Sequence, residues 1–156
     1  MVRPAGSDDL EAIVSLWHQL LVEHEARDRG YWALVPEDEA RPRYREWKAA
    51  ALDDPERLHV VAEFEGVVVG FIHALRLERP PLFKLSRVAR IDEVAVDIKH
   101  RRQGAGRAMM SMALRLLKER GYEYTDLMVD YKNEGAQALY RGLGYSPREL
   151  HLVKKL

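Results

Sequence analysis

Apolar side chains recur every three or four positions at Leu10, Ile13, Val14, Trp17, Leu20 and Leu21. That period predicts an amphipathic helix, entered through a capping side chain at Ser7 or Asp8. Ahead of it, "MVRPA" reads as a short edge strand ended by Pro4, since proline has no N–H for a ladder. Between Arg27 and Pro55 the period is weaker. Tyr44, Trp47 and Ala51 suggest a second helix, and Pro42 restricts where it can begin. After Pro55 the pattern changes: "RLHVVAEFEGVVVGFIHALRL" reads as two valine-rich strands turning at Glu65-Gly66. "ERPPLFKLSR" breaks the pattern as a loop or displaced edge, and "ARIDEVAV" is a third strand. A helix from Gly104 to Arg120 buries Ala108, Met109, Met112, Ala113, Leu116 and Leu117, with Gly121 closing it. "YTDLMVD" predicts a further strand. Asn133 then caps a short helix carrying Ala136, Leu139, Tyr140 and Leu143, and the alternating tail "LHLVKKL" predicts a last strand.

A hairpin followed by a strand–helix–strand crossover requires a mixed sheet, so the class is α/β (α+β). The 156 residues suit one domain over 1–156, and no repeat or linker divides them. Lys+Arg and Asp+Glu both number 25, which lacks the charge signature of a nucleic-acid binder. Without cysteine there is no disulfide, thiolate nucleophile or thiolate metal site. The histidines show no metal spacing. "MVRPAGSDDLE" carries no apolar signal region, and the apolar run near "VVVGFIHAL" is too short to span a bilayer. The expectation is a soluble, cytoplasmic protein with no nucleic-acid or membrane partner.

"RRQGAG", Arg101 to Gly106, opens the long helix with two glycines, each costing about 1 kcal/mol of helix propensity. Glycines at this strand-to-helix turn let backbone N–H groups approach a ligand, and amides at a helix start favour an anion. Arg101, Arg102 and Arg107 add positive charge. A phosphate cradle and a merely tight turn with solvated arginines both fit. A Walker loop would need Lys-Ser/Thr where Arg107-Ala108 stand, and a dinucleotide fingerprint would need glycine at Met109.

The same stretch resembles the Arg/Gln-x-x-Gly-x-Gly/Ala signature of the GNAT superfamily of N-acetyltransferases, with Arg101, Gly104 and Gly106 on its positions. "NEGAQALYRGLGY" is similar to the later family segment through Asn133, Ala136, Leu139, Tyr140, Gly144 and Tyr145. The resemblance spans nearly the whole chain. It implies a mixed sheet whose two central parallel strands splay apart, flanked by helices, with acetyl-CoA as co-substrate in the gap; no metal is expected, since neither cysteine nor histidine spacing supplies a site. It also implies that Val94, Ala95 and Val96 pair with the pantetheine arm. The stretch Arg101, Arg102, Gln103, Gly104, Ala105, Gly106, Arg107 and Ala108 would hold the pyrophosphate, with Asn133 and Tyr140 near the cofactor arm and the thioester sulfur.

Acyl transfer needs a neutral amine, and a lysine-type amine is neutral only about once in 2,500 molecules at pH 7. A base is therefore expected, with Glu93 and Asp92 as candidates and Asp130 as a third. Adjacent strand residues point to opposite faces, so at most one of Asp92 and Glu93 meets the acceptor. Glu93 is favoured, because Asp92 shares its side with the core-like Val94 and Val96. The resemblance gives Tyr140 the role of acid toward the leaving sulfur; without it, Tyr140 reads as a core aromatic. Relatives acting on ribosomal-protein N-termini carry a glutamate where Met128 stands here, which weakens that substrate. The acceptor is expected among the first two helices, Trp32, Tyr44 and the "ERPPLF" loop, as a small-molecule amine or a peptide or protein amine. A homodimer is compatible with the resemblance. The alternative function is a non-catalytic acyl-CoA-binding or regulatory module.

Overall fold

A computed structural model describes residues 1–84 and 87–155. Among the described residues five strands form one sheet in sequence order: β1 (Val2–Pro4), β2 (Leu58–Phe64), β3 (Val67–Arg76), β4 (Val88–Val96) and β5 (Tyr124–Leu127). The first three pairings are antiparallel, and β4 with β5 is parallel. On one face lie α1 (Leu10–Arg27) and α2 (Glu37–Leu52); on the other, α3 (Ala105–Glu119) and α4 (Glu134–Arg141).

The β2–β3 hairpin turns where its sequence predicts. Glu65 and Gly66 both have positive φ, +50° and +79°, the geometry that matches the right-handed twist of paired strands. Val60, Ile72, Ile91, Met109 and Met110 pack together under α3, while Val61, Phe71 and Ala95 pack under α1 with Ile13 and Leu16. Alternation along each strand thus feeds two cores.

Several expectations need correction. The entry to α1 is capped by neither Ser7 nor Asp8. Asp9 accepts from the Gly6 amide at 2.9 Å and pairs with Arg3 at 2.7 Å, so a buried carboxylate ties the helix entry to β1. α2 begins ahead of Pro42, at Glu37. Pro42 is exposed, so the carbonyl it leaves unpaired faces water, and Glu37, Asp38 and Glu39 suit the positive end of the helix. On α3 the side chain of Ala108 is exposed and Met110 is buried. Glu78–Lys84 form no strand, and Leu85 and Ser86 lie outside the described residues. The tail does not add a strand over Leu150–Lys155, where Leu150, Leu152 and Val153 are exposed; Leu156 lies outside the described residues. No helix among the described residues is long and apolar enough to cross a membrane.

Candidate functional site

The parallel strands β4 and β5 pair only from Val88 opposite Tyr124 to Ile91 opposite Leu127. β4 continues to Val96 without β5, so the ladder stops and leaves a gap in the pairing beside Asp92–Val96. The Asp97 amide donates to the Val69 carbonyl across the β3 side. Antiparallel alternation therefore turns the backbone groups of Val94 and Val96 away from β3, toward the gap. One of them is engaged: the Arg101 Nε donates to the Val96 carbonyl at 2.9 Å.

Beyond the gap the chain makes a short 3-10 turn, Ile98–His100, capped by Asp97, and then enters α3. Arg102 and Gly104 both adopt positive φ, +62° and +89°. An added Cβ at Gly104 would meet nothing within 4 Å among the described residues, so the backbone angle is what demands glycine there. At Gly106 a Cβ would come 3.4 Å from Leu139 and 3.7 Å from Val96, ordinary contact that an alanine would satisfy. The Ala108 amide bonds the Gly104 carbonyl at 3.0 Å and closes the first helical turn. It is therefore spent, and the amides ahead of it at Ala105, Gly106 and Arg107 are those without an intrahelical partner.

The three arginines do not act as one patch. Arg101 pairs with Glu23 on α1 and clamps the turn to that helix. Arg107 donates to the Gly142 carbonyl at 3.2 Å, tying α3 to the end of α4. Arg102 lines an open cleft of 540 Å³ with Tyr131, Glu134, Gln137 and Arg141. The Gln103 side chain donates to the Lys99 carbonyl. Asn133 caps α4, its Oδ1 accepting from the Ala136 amide at 3.2 Å.

Between Ile91 and Glu93 the register slips: Ile91 pairs Ala74 and Glu93 pairs His73, leaving Asp92 without a partner on β3. This single extra residue changes which face each side chain takes. Ile91 stays with the α3 core, whereas Glu93 turns to the α1 and α2 face with Ala95, and Val94 and Val96 take the α3 side. Asp92 is exposed and does not join Val94 and Val96 in the core.

Glu93 enters a buried polar cluster that no local pattern of residues announces. Its Oε2 lies 2.5 Å from Lys48 Nζ and 3.4 Å from His73 Nδ1. Tyr44 donates to the same carboxylate at 3.1 Å and stacks on Trp17 with ring centroids 3.6 Å apart. His59 stacks on His73 at 4.6 Å and bonds the Ala51 carbonyl. Burial pushes the Glu93 pKa up, but His73 and Lys48 outweigh it and hold the carboxyl below its ordinary range. Burial lowers the pKa of His73 and brings His59 down to about 4, so both imidazoles are neutral at pH 7. A pattern search misses Lys48 because a lysine on a charged helix reads as solvated.

Tyr140, on α4, is 9% exposed and meets Tyr145 edge-on at 5.9 Å. Burial, aided by Tyr145, pushes its hydroxyl up to about 12. Asp130 sits past the end of β5, its carboxylate accepting from the Lys132 amide, and Met128 is exposed beside it. Trp32 contacts His24 and Tyr31 at the α1–α2 connection. Among the described residues no group of histidines and carboxylates is arranged to hold a metal.

A profile of the acetyltransferase (GNAT) family matches residues 17–145. An uncharacterized N-acetyltransferase of Methanocaldococcus jannaschii is 33% identical over 101 residues, 62% of this chain and 44% of that one. The chain spans less than half the length of the curated relatives named first among its matches. A tetramutant of the BH1408 protein from Bacillus halodurans superposes with a TM-score of 0.85 at 21% identity, over 100% of this chain and 99% of that one. The aminoglycoside acetyltransferase AAC(6')-Iy, solved with the bisubstrate analogue CoA-S-monomethyl-acetylneamine, superposes at 0.76 with 19% identity, over 100% and 97%. The fold is shared with both.

Proposed function

Because the chain belongs to the acetyltransferase (GNAT) family, we propose that it moves an acetyl group from acetyl-CoA to a primary amine by direct transfer while both are bound. The observation that carries this reading is the course of β4. Its edge from Asp92 to Val96 is unpaired toward β5, and it leads through a left-handed turn to the free amides of α3. The pantetheine arm is an extended chain with two amides, and it ends in a pyrophosphate. An extended backbone edge that finishes at a helix N-terminus complements both parts. The fold relative solved with a CoA bisubstrate analogue supports CoA as the donor.

In the transfer, the amine lone pair forms the C–N bond, the C–S bond breaks and CoA leaves as a thiolate. The nitrogen becomes strongly acidic once it bonds the carbonyl, so even a carboxylate with a low pKa can take its proton. Glu93 is assigned that proton, with Asp92 and Asp130 as the other carboxylates to test. Tyr140 keeps its own proton well above neutral pH and is assigned as donor to the departing sulfur. The acceptor, a small-molecule amine or a peptide or protein amine, is assigned to the α1 and α2 face near Tyr44 and Trp32.

The test pairs calorimetry with a free-thiol release assay over a panel of amines and peptides. A Gly104→Val substitution forces a branched residue into positive φ and displaces the amides. Acetyl-CoA affinity should fall at least tenfold, or about 1.4 kcal/mol. Gly106→Ala should retain affinity. Unchanged affinity in folded Gly104→Val would overturn the cradle. Tight acetyl-CoA binding without thiol release for any acceptor would identify a non-catalytic acyl-CoA-binding module instead.

A further inference from the structure

Lys48 has no exposed surface at all. Its Nζ lies 2.5 Å from Glu93 Oε2 and sits over the rings of Trp47, Tyr44 and Phe71, at 4.6, 5.2 and 5.6 Å from their centroids. Replacing a buried ion pair by apolar groups is frequently neutral or stabilising, so fold stability alone is a poor reason for this lysine. The two oxygens of Glu93 are unequal. The Tyr44 hydroxyl reaches both, at 3.1 Å from Oε1 and 3.2 Å from Oε2; Oε2 also meets Lys48 and His73, whereas Oε1 has Tyr44 as its one hydrogen-bond partner among the described residues.

We propose that Lys48 is a positioning residue for acyl transfer: its buried ammonium keeps Glu93 a carboxylate, occupies Oε2, and leaves Oε1 to meet the N–H of the acceptor. This rests on the assignment of Glu93 as the proton acceptor. The charged and titratable groups around Glu93 are Tyr44 and Lys48 from α2, His73 from β3 with His59 behind it from β2, and Asp92 beside it on β4. Arg57 acts on Lys48 from the turn before β2. Both imidazoles are neutral at pH 7, so Lys48 is the cation that faces the carboxylate. Burial lowers the Lys48 pKa in turn, so the ammonium gives up its proton at a lower pH than an exposed lysine would, while Glu93 stays anionic.

The test reads the carboxyl directly, without substrate. Carbon-13 NMR titration of Glu93, assigned with Glu93→Gln, is run on the natural protein and on Lys48→Met and Lys48→Arg. The natural carboxyl should titrate below the ordinary carboxylate range. Lys48→Met should raise its midpoint by a pH unit or more, and Lys48→Arg should leave it near the natural value. The acidic limb of kcat/KM should move with it, whereas a merely structural lysine would lower activity evenly across pH. An unmoved carboxyl midpoint in Lys48→Met overturns the proposal whatever the function of Glu93. A moved midpoint with a stationary acidic limb overturns it through the assignment of Glu93 itself. Should Lys48→Met not fold, a natural carboxyl that titrates above the ordinary range overturns it as well.

Discussion

Tyr140 belongs to the apolar cluster beneath α3, and its ring meets Tyr145, whose own hydroxyl bonds Thr125 Oγ1 at 2.7 Å. Packing and proton donation are therefore separable at one atom. Tyr140→Phe keeps the ring and removes the hydroxyl. A thiolate is a tolerable leaving group, so we expect kcat to fall roughly 10- to 1,000-fold, with acetyl-CoA affinity changed less than about threefold. Stopped-flow or steady-state kinetics beside calorimetry check this, and a near-normal kcat would leave Tyr140 as packing. Other side chains carry roles that spacing alone does not reveal. Arg101 stands on a signature position, yet its guanidinium reaches Glu23 and the Val96 carbonyl. Glu93 reads correctly as facing away from Val94, but its partners Lys48 and His73 come from elements far off in sequence, and no local pattern joins them.

At the level of elements, α3 lies close against β3, and Gly70 is where they meet. A Cβ there would stand 2.8 Å from Met109 Cε and 2.9 Å from the Ala95 carbonyl oxygen. The methionine tip can swing away; the backbone carbonyl cannot. Gly70→Ala should cost about 1–3 kcal/mol, as overpacking does, seen as a lower urea midpoint with an unchanged m-value. The hairpin, α1, α3 and α4 were legible because their apolar periods are long and their turns carry Glu65-Gly66, Gly121 and Asn133. The start of α2 was not, because its first turn is exposed and its proline costs only a water-facing carbonyl. The alternating tail suggested a strand, but alternation reports one apolar side and supplies no partner edge. The slip at Asp92 was invisible for a related reason: "RIDEVAV" alternates acceptably in either frame, and only pairing with β3 chooses.

For the molecule as a whole, buried titratable groups tie stability to pH. The His59 pKa is brought from 6.5 to about 4 by burial, with His73 and Lys48 adding to it. Between those values the unfolded chain binds the proton and the folded one does not. Stability is thus complete above pH 6.5 and falls as pH drops toward 4, by up to about 1.4 kcal/mol per pH unit for one such proton. His73 is shifted the same way. Asp9, Asp97 and Glu93 lie below their ordinary values, so their contributions are complete above those ordinary values and are lost as pH falls through the lowered ones. Urea unfolding at pH 7, 5.5 and 4.5 should show the decline, and His59→Gln should flatten it; an equal slope in the variant would assign the loss elsewhere. The strand order, finally, is also the order of synthesis. A nascent chain can lay each new strand on the edge just completed, with antiparallel neighbours through β4 and the crossover helix α3 following. β5 is synthesised after all of these, and it pairs over Val88–Ile91 alone. The gap between the parallel strands is therefore bounded only once the last strand has been made, so a growing chain carries its hairpin before it carries both walls of that gap.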